Sequence, residues 1–310
     1  TILSKALRRE PLTADEALWI YLNVPVSELA AVADTIRRET VPDPNVVTWQ
    51  IDRNVNITNV CISGCKFCNF HCRVHETDKA YITTFEEYSR KIEETIALGG
   101  DQLLLQGGLH PRLGIEFYES LFRDLKKAYP KIKLHALGAP EVFHIARISE
   151  LSIEETLLRL MDAGLESLPG AGAEILDDQV RHRISPAKPT AIQWIDTMRI
   201  AHRLGLATSA TMMYGHVETP MQRIEHLIKI RDLQAECPEG NHGFIAFIPW
   251  IFRGEGTRLE AEGIKTAFSP LEYIRIIAIS RIVLNNIRNI QASWLTVGKT
   301  TAQMALHSGA

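Results

Sequence analysis

Apolar positions along this chain alternate between two patterns. Short strand-like runs occupy residues 54–59, 102–106, 133–136, 166–168, 207–213, 243–248 and 289–292. Between them, helical patterns cover residues 84–98, 116–129, 152–163, 192–204, 220–237 and 270–286. Glycine closes several helices ahead of the next strand, at Gly99-Gly100, Gly164 and Gly205, because it enters left-handed backbone without a Cβ penalty. Residues 1 to about 50 are helical in pattern. Thr13-Ala14-Asp15-Glu16 has the form of a capping box ahead of Leu18-Trp19-Ile20, and a second helical pattern runs from Val26 to Arg38 before Pro42 and Pro44.

Seven strand–helix alternations predict a parallel sheet with helices packed outside it. So many repeats in one domain favour a (β/α)8 TIM-like barrel over an open sheet. An eighth unit would begin near residues 300–306, which are helical in pattern. The expected architecture is therefore an α/β barrel over residues 51–310, its last unit incomplete, after an N-terminal helical extension over residues 1–50.

Composition narrows the function classes. With 45% hydrophobic and 23% charged residues the chain is an ordinary globular one. A net charge of -3 gives no electrostatic reason to expect a nucleic-acid partner. No run approaches the roughly 20 apolar residues that span a bilayer, and the first residues lack the basic-then-apolar form of a signal peptide. Five cysteines, unevenly clustered, do not form a disulfide framework. The expectation is a protein of the reducing cytoplasm with no membrane insertion.

Three of those cysteines fall in Cys61-Ile62-Ser63-Gly64-Cys65-Lys66-Phe67-Cys68. Clustered thiols suit a soft metal centre such as an iron–sulfur cluster, zinc or copper. A [4Fe–4S] cube held by three cysteines keeps one iron open to another ligand. Structural zinc normally takes four ligands. Cys72, His71 and His75 are near enough in sequence for a compact zinc knot, but no second pair follows at finger-like spacing, and Cys237 lies far off in a helical pattern. Three merely buried thiols would explain the clustering poorly.

Other motifs fall at strand ends. Gln106-Gly107-Gly108 exposes peptide groups to close approach, or makes a simple turn. Thr211 to Glu218 ends the fifth strand pattern and carries Gly215, His216 and Glu218. Pro169-Gly170-Ala171-Gly172-Ala173-Glu174 follows the fourth strand and is expected to open a helix, whose N–H groups suit an anion. It lacks the Gly-Lys-Ser/Thr of a P-loop. The basic segment Arg181 to Lys188 is either a solvated patch or a carboxylate-binding loop.

C-x3-C-x2-C after the first strand of a β/α barrel resembles the radical S-adenosylmethionine (SAM) superfamily. The resemblance implies that Cys61, Cys65 and Cys68 hold [4Fe–4S] and that SAM chelates the open iron. Phe67 would then lie near the adenine, Gln106, Gly107 and Gly108 would contact the methionine amino group, and Gly215 and Glu218 would pack around the adenosyl group. Leu109 stands where the family frequently has Glu, and Thr211 replaces the first Gly of a loose G-x-I-x-G-x-x-E pattern.

From about Asn54 onward the chain is similar to the branch containing dehypoxanthine futalosine cyclases, aminofutalosine synthases and deazaflavin FO synthase subunits. The shared features are Asn56-Ile57-Thr58-Asn59-Val60, Gln106 to Pro111, Gly172 to Leu176 and Tyr214-Gly215-His216. Phe247-Ile248-Pro249-Trp250 and Ala292 to Gly298 look like the cyclase versions, whereas Gly138-Ala139-Pro140-Glu141 and Phe70-His71-Cys72 depart from the usual residues. The cyclase resemblance implies a 5′-deoxyadenosyl radical that takes the ribose C4′ hydrogen of dehypoxanthine futalosine, followed by radical closure onto the benzoate ring, in menaquinone biosynthesis. It also implies a low-potential electron donor such as flavodoxin or ferredoxin. Rearomatisation needs a base, for which His110, Glu141, Glu174 and His216 are candidates, each equally able to cap or pack. Arg183 and Lys188 are candidates for the benzoate carboxylate, and Trp250 for substrate contact. The rival readings are aminofutalosine synthase, an FO synthase-type enzyme, and a zinc-stabilised binding module without catalysis.

Overall fold

The computed structural model describes residues 1–310. Three helices come first: α1 (Ile2–Leu7), α2 (Ala14–Asn23) and α3 (Val26–Thr40). The capping box of α2 forms, with Glu16 N–H donating to Thr13 Oγ1 and Thr13 N–H to Glu16 Oε2. The strands are β1 (Asp52–Asn56), β2 (Gln102–Gln106), β3 (Lys133–Ala136), β4 (Ser167–Leu168), β5 (Ala207–Tyr214), β6 (Phe244–Ile251) and β7 (Asn289–Ile290). They pair in parallel and in sequence order, β1 through β7. The sheet curls into a partial TIM-like barrel that stays open between β1 and β7.

The crossovers are α4 (Phe85–Ala97), α5 (Ile115–Ala128), α6 (Ala139–Ile148), α7 (Ile153–Ala163), α8 (Asp178–Ile184), α9 (Ala191–Arg203), α10 (Pro220–Ala235), α11 (Arg258–Ala261) and α12 (Pro270–Val283), and α13 (Trp294–Val297) and α14 (Lys299–Ala305) follow β7. Helix α12 is buried on nearly every face, from Tyr273 to Val283. It packs on β6 and β7 on one side and on α2 and α3 on the other. That double burial explains its lack of an amphipathic stripe, and it places the N-terminal helices and the barrel in one shared core.

Three expectations change in detail. The helix after β4 starts at Asp178, capped by Asp177, and not within the run from Gly170 to Glu174. Gly172 and Glu174 both have positive φ, a conformation a right-handed helix cannot contain. Helix α6, buried on most sides, had no counterpart among the helical patterns of the sequence. The helical pattern near residue 300 is α14, which packs on α12 and α13, and no eighth strand precedes it.

Candidate active site

All parallel strands point their C-terminal ends at one face, where such barrels carry their chemistry. The cysteine loop leaves β1 there. Beyond Asn56 the chain still runs beside the end of β2, with Ile57 N–H donating to Gln106 O (2.7 Å) and Gly108 N–H to Thr58 O (2.7 Å). The neck of the loop is closed by Cys61 N–H to Cys72 O (3.0 Å) and Cys72 N–H to Asn59 O (2.9 Å). Cys72 is thus a buried neck residue. Further along, Lys66 N–H donates to Ile184 O (2.8 Å), Leu259 N–H to Lys66 O (3.1 Å), and Asn69 Nδ2 to Glu255 O (2.7 Å). Two remote segments, the end of α8 and residues 255–259, therefore hold the loop. Cys61 and Cys65 are buried and Cys68 is half-buried.

The glycine pair explains itself by contact. A Cβ on Gly108 would stand 2.2 Å from the Val60 carbonyl oxygen, so only glycine lets the end of β2 lie against the strand leading into Cys61. Gly107 N–H donates to Glu141 Oε1 (2.8 Å), and Gly138 N–H to Glu141 Oε2 (2.6 Å). Glu141 thus ties the ends of β2 and β3 together. Burial pushes its carboxyl up to about 7 against the pull of those two N–H groups and of Lys188. His110 is buried, and its Nδ1 accepts from Arg112 N–H (3.2 Å). The neutral tautomer therefore carries its proton on Nε2. Burial first, then Arg112 and His144, keep its pKa below the usual histidine value.

At the barrel mouth Lys188 Nζ pairs with Glu174 Oε1 at 2.7 Å, both side chains largely buried, and lies 5.2 Å from the centre of the Phe67 ring. Glu174 Oε2 is buried without a partner. Burial pushes the Cys65 thiol up, while Lys188 and the Ser63 hydroxyl pull it back. Lys188 itself is held above the usual lysine range, since Cys65 and Glu174 outweigh its burial. These residues form one electrostatic cluster around the middle cysteine. Arg183 is outside it, exposed on α8. The neighbouring Arg181 is the buried one, donating to the carbonyls of Pro189 (2.9 and 2.6 Å), Ala173 (2.7 Å) and Gly172 (3.1 Å). It staples the strained run from Gly172 to Glu174 in place.

The β5 end carries a second buried network. Gly215 has φ +87°, and its N–H donates to Glu218 Oε1 (2.6 Å) while His216 N–H donates to Oε2 (3.0 Å). Arg223 Nε donates to the same Oε1 (2.7 Å), and Arg223 Nη1 reaches Glu272 Oε1 (2.7 Å) and Tyr21 Oη (2.8 Å). Burial pushes the Glu218 carboxyl up, but His216, Arg223 and the two N–H groups outweigh it and leave it below its usual value. The Glu218 side chain has no exposed surface and no spare oxygen. It holds the Gly215–His216 turn at the end of β5. His216 is likewise occupied, with Nε2 on Met213 O (3.0 Å) and Nδ1 accepting from Val217 N–H (2.7 Å). Trp250 is half-buried near the end of β6, in register with Met213. Ser63, Tyr21, Arg223 and Glu272 went unnoticed in the sequence, where only the place of Ser63 between two cysteines gave a signal.

No three His, Cys, Asp or Glu side chains lie close enough together to hold a single metal ion. A zinc knot from Cys72, His71 and His75 finds no support there. A cluster distributes its ligands over several irons and suits thiols spread along one loop, and here two are buried and one half-buried. The unpartnered Glu174 oxygen and the Lys188 ammonium beside the cysteines suit a zwitterionic, hydroxyl-bearing molecule such as SAM.

Residues 55–230 match the family model of the radical SAM superfamily, more than half of the chain. The chain belongs to that superfamily. It is a radical SAM enzyme, and the family implies a [4Fe–4S] cluster and SAM. Residues 241–310 match the CofH/MqnC C-terminal region. The chain is similar to a cyclic dehypoxanthine futalosine synthase of Streptomyces coelicolor, 43% identical over all of this chain and 76% of that protein. It is also similar to a 5-amino-6-(D-ribitylamino)uracil–L-tyrosine 4-hydroxyphenyl transferase of Methanosarcina mazei, 38% identical over 99% of this chain and 80% of that protein. Among solved structures, methylornithine synthase superposes with a TM-score of 0.72 at 18% identity, over 100% of this chain and 84% of that one, a likeness of fold.

Proposed function

We propose that this radical SAM enzyme converts dehypoxanthine futalosine to cyclic dehypoxanthine futalosine in menaquinone biosynthesis. The hydrogen at ribose C4′ is removed, that carbon bonds to the benzoate ring, and aromaticity returns as a proton passes to a base and an electron to a one-electron acceptor, a role the cluster would supply. The observation that carries the reading is the cyclase-like run Phe247-Ile248-Pro249-Trp250 at the end of β6, in a chain that aligns over its full length with a cyclic dehypoxanthine futalosine synthase.

When bound, the cluster and SAM supply one-electron reduction and hydrogen-atom abstraction. A low-potential carrier such as flavodoxin or ferredoxin delivers the electron. Cys61, Cys65 and Cys68 would hold the cluster, while the backbone of Gly107, Gly108 and Gly215, whose N–H groups are already given to Glu141, Thr58 and Glu218, would border the cofactor pocket beside Phe67. Such a pocket must keep reacting atoms close and water out. Among the four base candidates, Glu141 and His216 have both polar atoms engaged, and His110 offers an N–H. Glu174 alone keeps a free buried acceptor, so it is the group that receives a hydrogen or proton from a bound molecule. Lys188 balances its charge and is the better placed of the two cations for a carboxylate, since Arg183 is exposed.

The test is a substrate panel with the anaerobically reconstituted enzyme, SAM and a strong reductant. Dehypoxanthine futalosine is expected to give a cyclised product with free 5′-deoxyadenosine. An adenosyl group incorporated into an enolpyruvyl benzoate would make the protein an aminofutalosine synthase. Turnover of tyrosine with 5-amino-6-ribitylaminouracil alone would place it with the Methanosarcina relative.

A further inference from the structure

The cysteine loop contains one polar side chain between its first two thiols. Ser63 is 5% exposed, its Oγ lies 2.9 Å from Cys61 Sγ and 3.3 Å from Cys65 Sγ, and its N–H donates to Cys61 Sγ at 3.4 Å. The hydroxyl has no other hydrogen-bond partner. While the cysteines are thiols, either sulfur or the serine can donate. Once the cysteines act as thiolate ligands they can only accept, and the hydroxyl becomes the donor. Burial removes water as a competitor and strengthens the bond.

We propose that Ser63 sets the reduction potential of the cluster by donating a hydrogen bond from its hydroxyl to a ligating sulfur, Cys61 or Cys65. The step concerned is the entry of one electron from a low-potential donor into the oxidised cluster, with no bond made or broken. Reduction raises the electron density on the sulfurs, so a donor to sulfur stabilises the reduced state more than the oxidised one and raises the potential. The role is that of a positioning residue: Ser63 need not touch SAM or substrate. It rests on the assignment of Cys61, Cys65 and Cys68 as ligands, which iron and sulfide content tests separately.

The experiment is an EPR-monitored redox titration of the reconstituted, SAM-free enzyme. Ser63→Ala, with a full complement of iron, is expected to show a more negative midpoint, the reduced-to-oxidised ratio at fixed potential falling about tenfold, or ~59 mV for a one-electron couple. Ser63→Thr keeps the hydroxyl and should titrate near wild type, whereas Ser63→Val, of the same shape without it, should follow alanine. Equal midpoints in wild type and Ser63→Ala, or in the threonine and valine variants, overturn the proposal. If only variants with the hydroxyl hold the cluster at all, Ser63 is a structural residue of the loop and the proposal also falls.

Discussion

Cys65→Ala is expected to yield a folded protein that holds no [4Fe–4S] cluster and releases no 5′-deoxyadenosine from SAM. Cys65 is the middle of the three thiols, 4% exposed, with Ser63 against its sulfur and Lys188 close by. Alanine leaves two ligands, too few for a cube whose open iron already lacks one. The fold should persist, because the loop is closed by backbone bonds at Cys61, Cys72 and Lys66 that do not involve the sulfur. Iron and acid-labile sulfide analysis after anaerobic reconstitution gives the first readout, and 5′-deoxyadenosine by chromatography the second. Activity with full iron content in this variant would refute the ligand set. A colourless wild-type protein with stoichiometric zinc would refute the cluster itself.

Arg223→Met should destabilise the protein by about 3–5 kcal/mol, the usual cost of stripping the partner from a buried charge. Methionine keeps much of the volume, so the loss falls on electrostatics. Glu218 has no exposed side-chain surface and would keep its two backbone donors and the neighbouring His216 ring but no cation. Tyr21 and Glu272 would lose the cation that joins α2 to α12. The pH dependence has a definite sign. The Glu218 carboxyl is held below its usual value in the fold, so its contribution is present above the unfolded carboxylate pKa of about 4.3 and lost as pH falls through the folded one. Chemical denaturation at pH 7 and pH 4 should therefore show a larger difference between wild type and variant at pH 7. Equal stability of the two proteins at pH 7 would show that the network contributes nothing.

The barrel was legible because each of its signals is local. Alternating strand and helix patterns gave the seven strands, and Thr13 and Glu16 announced α2 by a reciprocal cap. Helix α6 had no counterpart among the sequence patterns, although Pro140 and Glu141 form an ordinary helix start. The run from Gly172 to Glu174 misled in the opposite direction. The glycines at 170 and 172 suggested a helix N-terminus, whereas Gly172 and Glu174 take left-handed backbone in a turn stapled by Arg181.

The site divides in the same way. The three cysteines and Gly108 were readable because thiol spacing and close backbone approach are written in consecutive residues. Roles that depend on distant partners were not. For His216 and Glu218 the sequence left a site role and a packing role open, and in the structure one bonds Met213 and Val217, and the other bonds Arg223, which reaches Tyr21 across about two hundred residues. Glu174 and Lys188 gained their meaning only when paired over Phe67 beside Cys65.

The central claim is that the radical chemistry prepared at the cysteine loop acts on ribose C4′. Dehypoxanthine futalosine deuterated at C4′, incubated anaerobically with the reduced enzyme and SAM, tests it by mass spectrometry of the 5′-deoxyadenosine released. One deuterium is expected in 5′-deoxyadenosine, formed in step with the cyclised product. Unlabelled 5′-deoxyadenosine beside cyclised product, or an adenosyl group retained in the product, would contradict it.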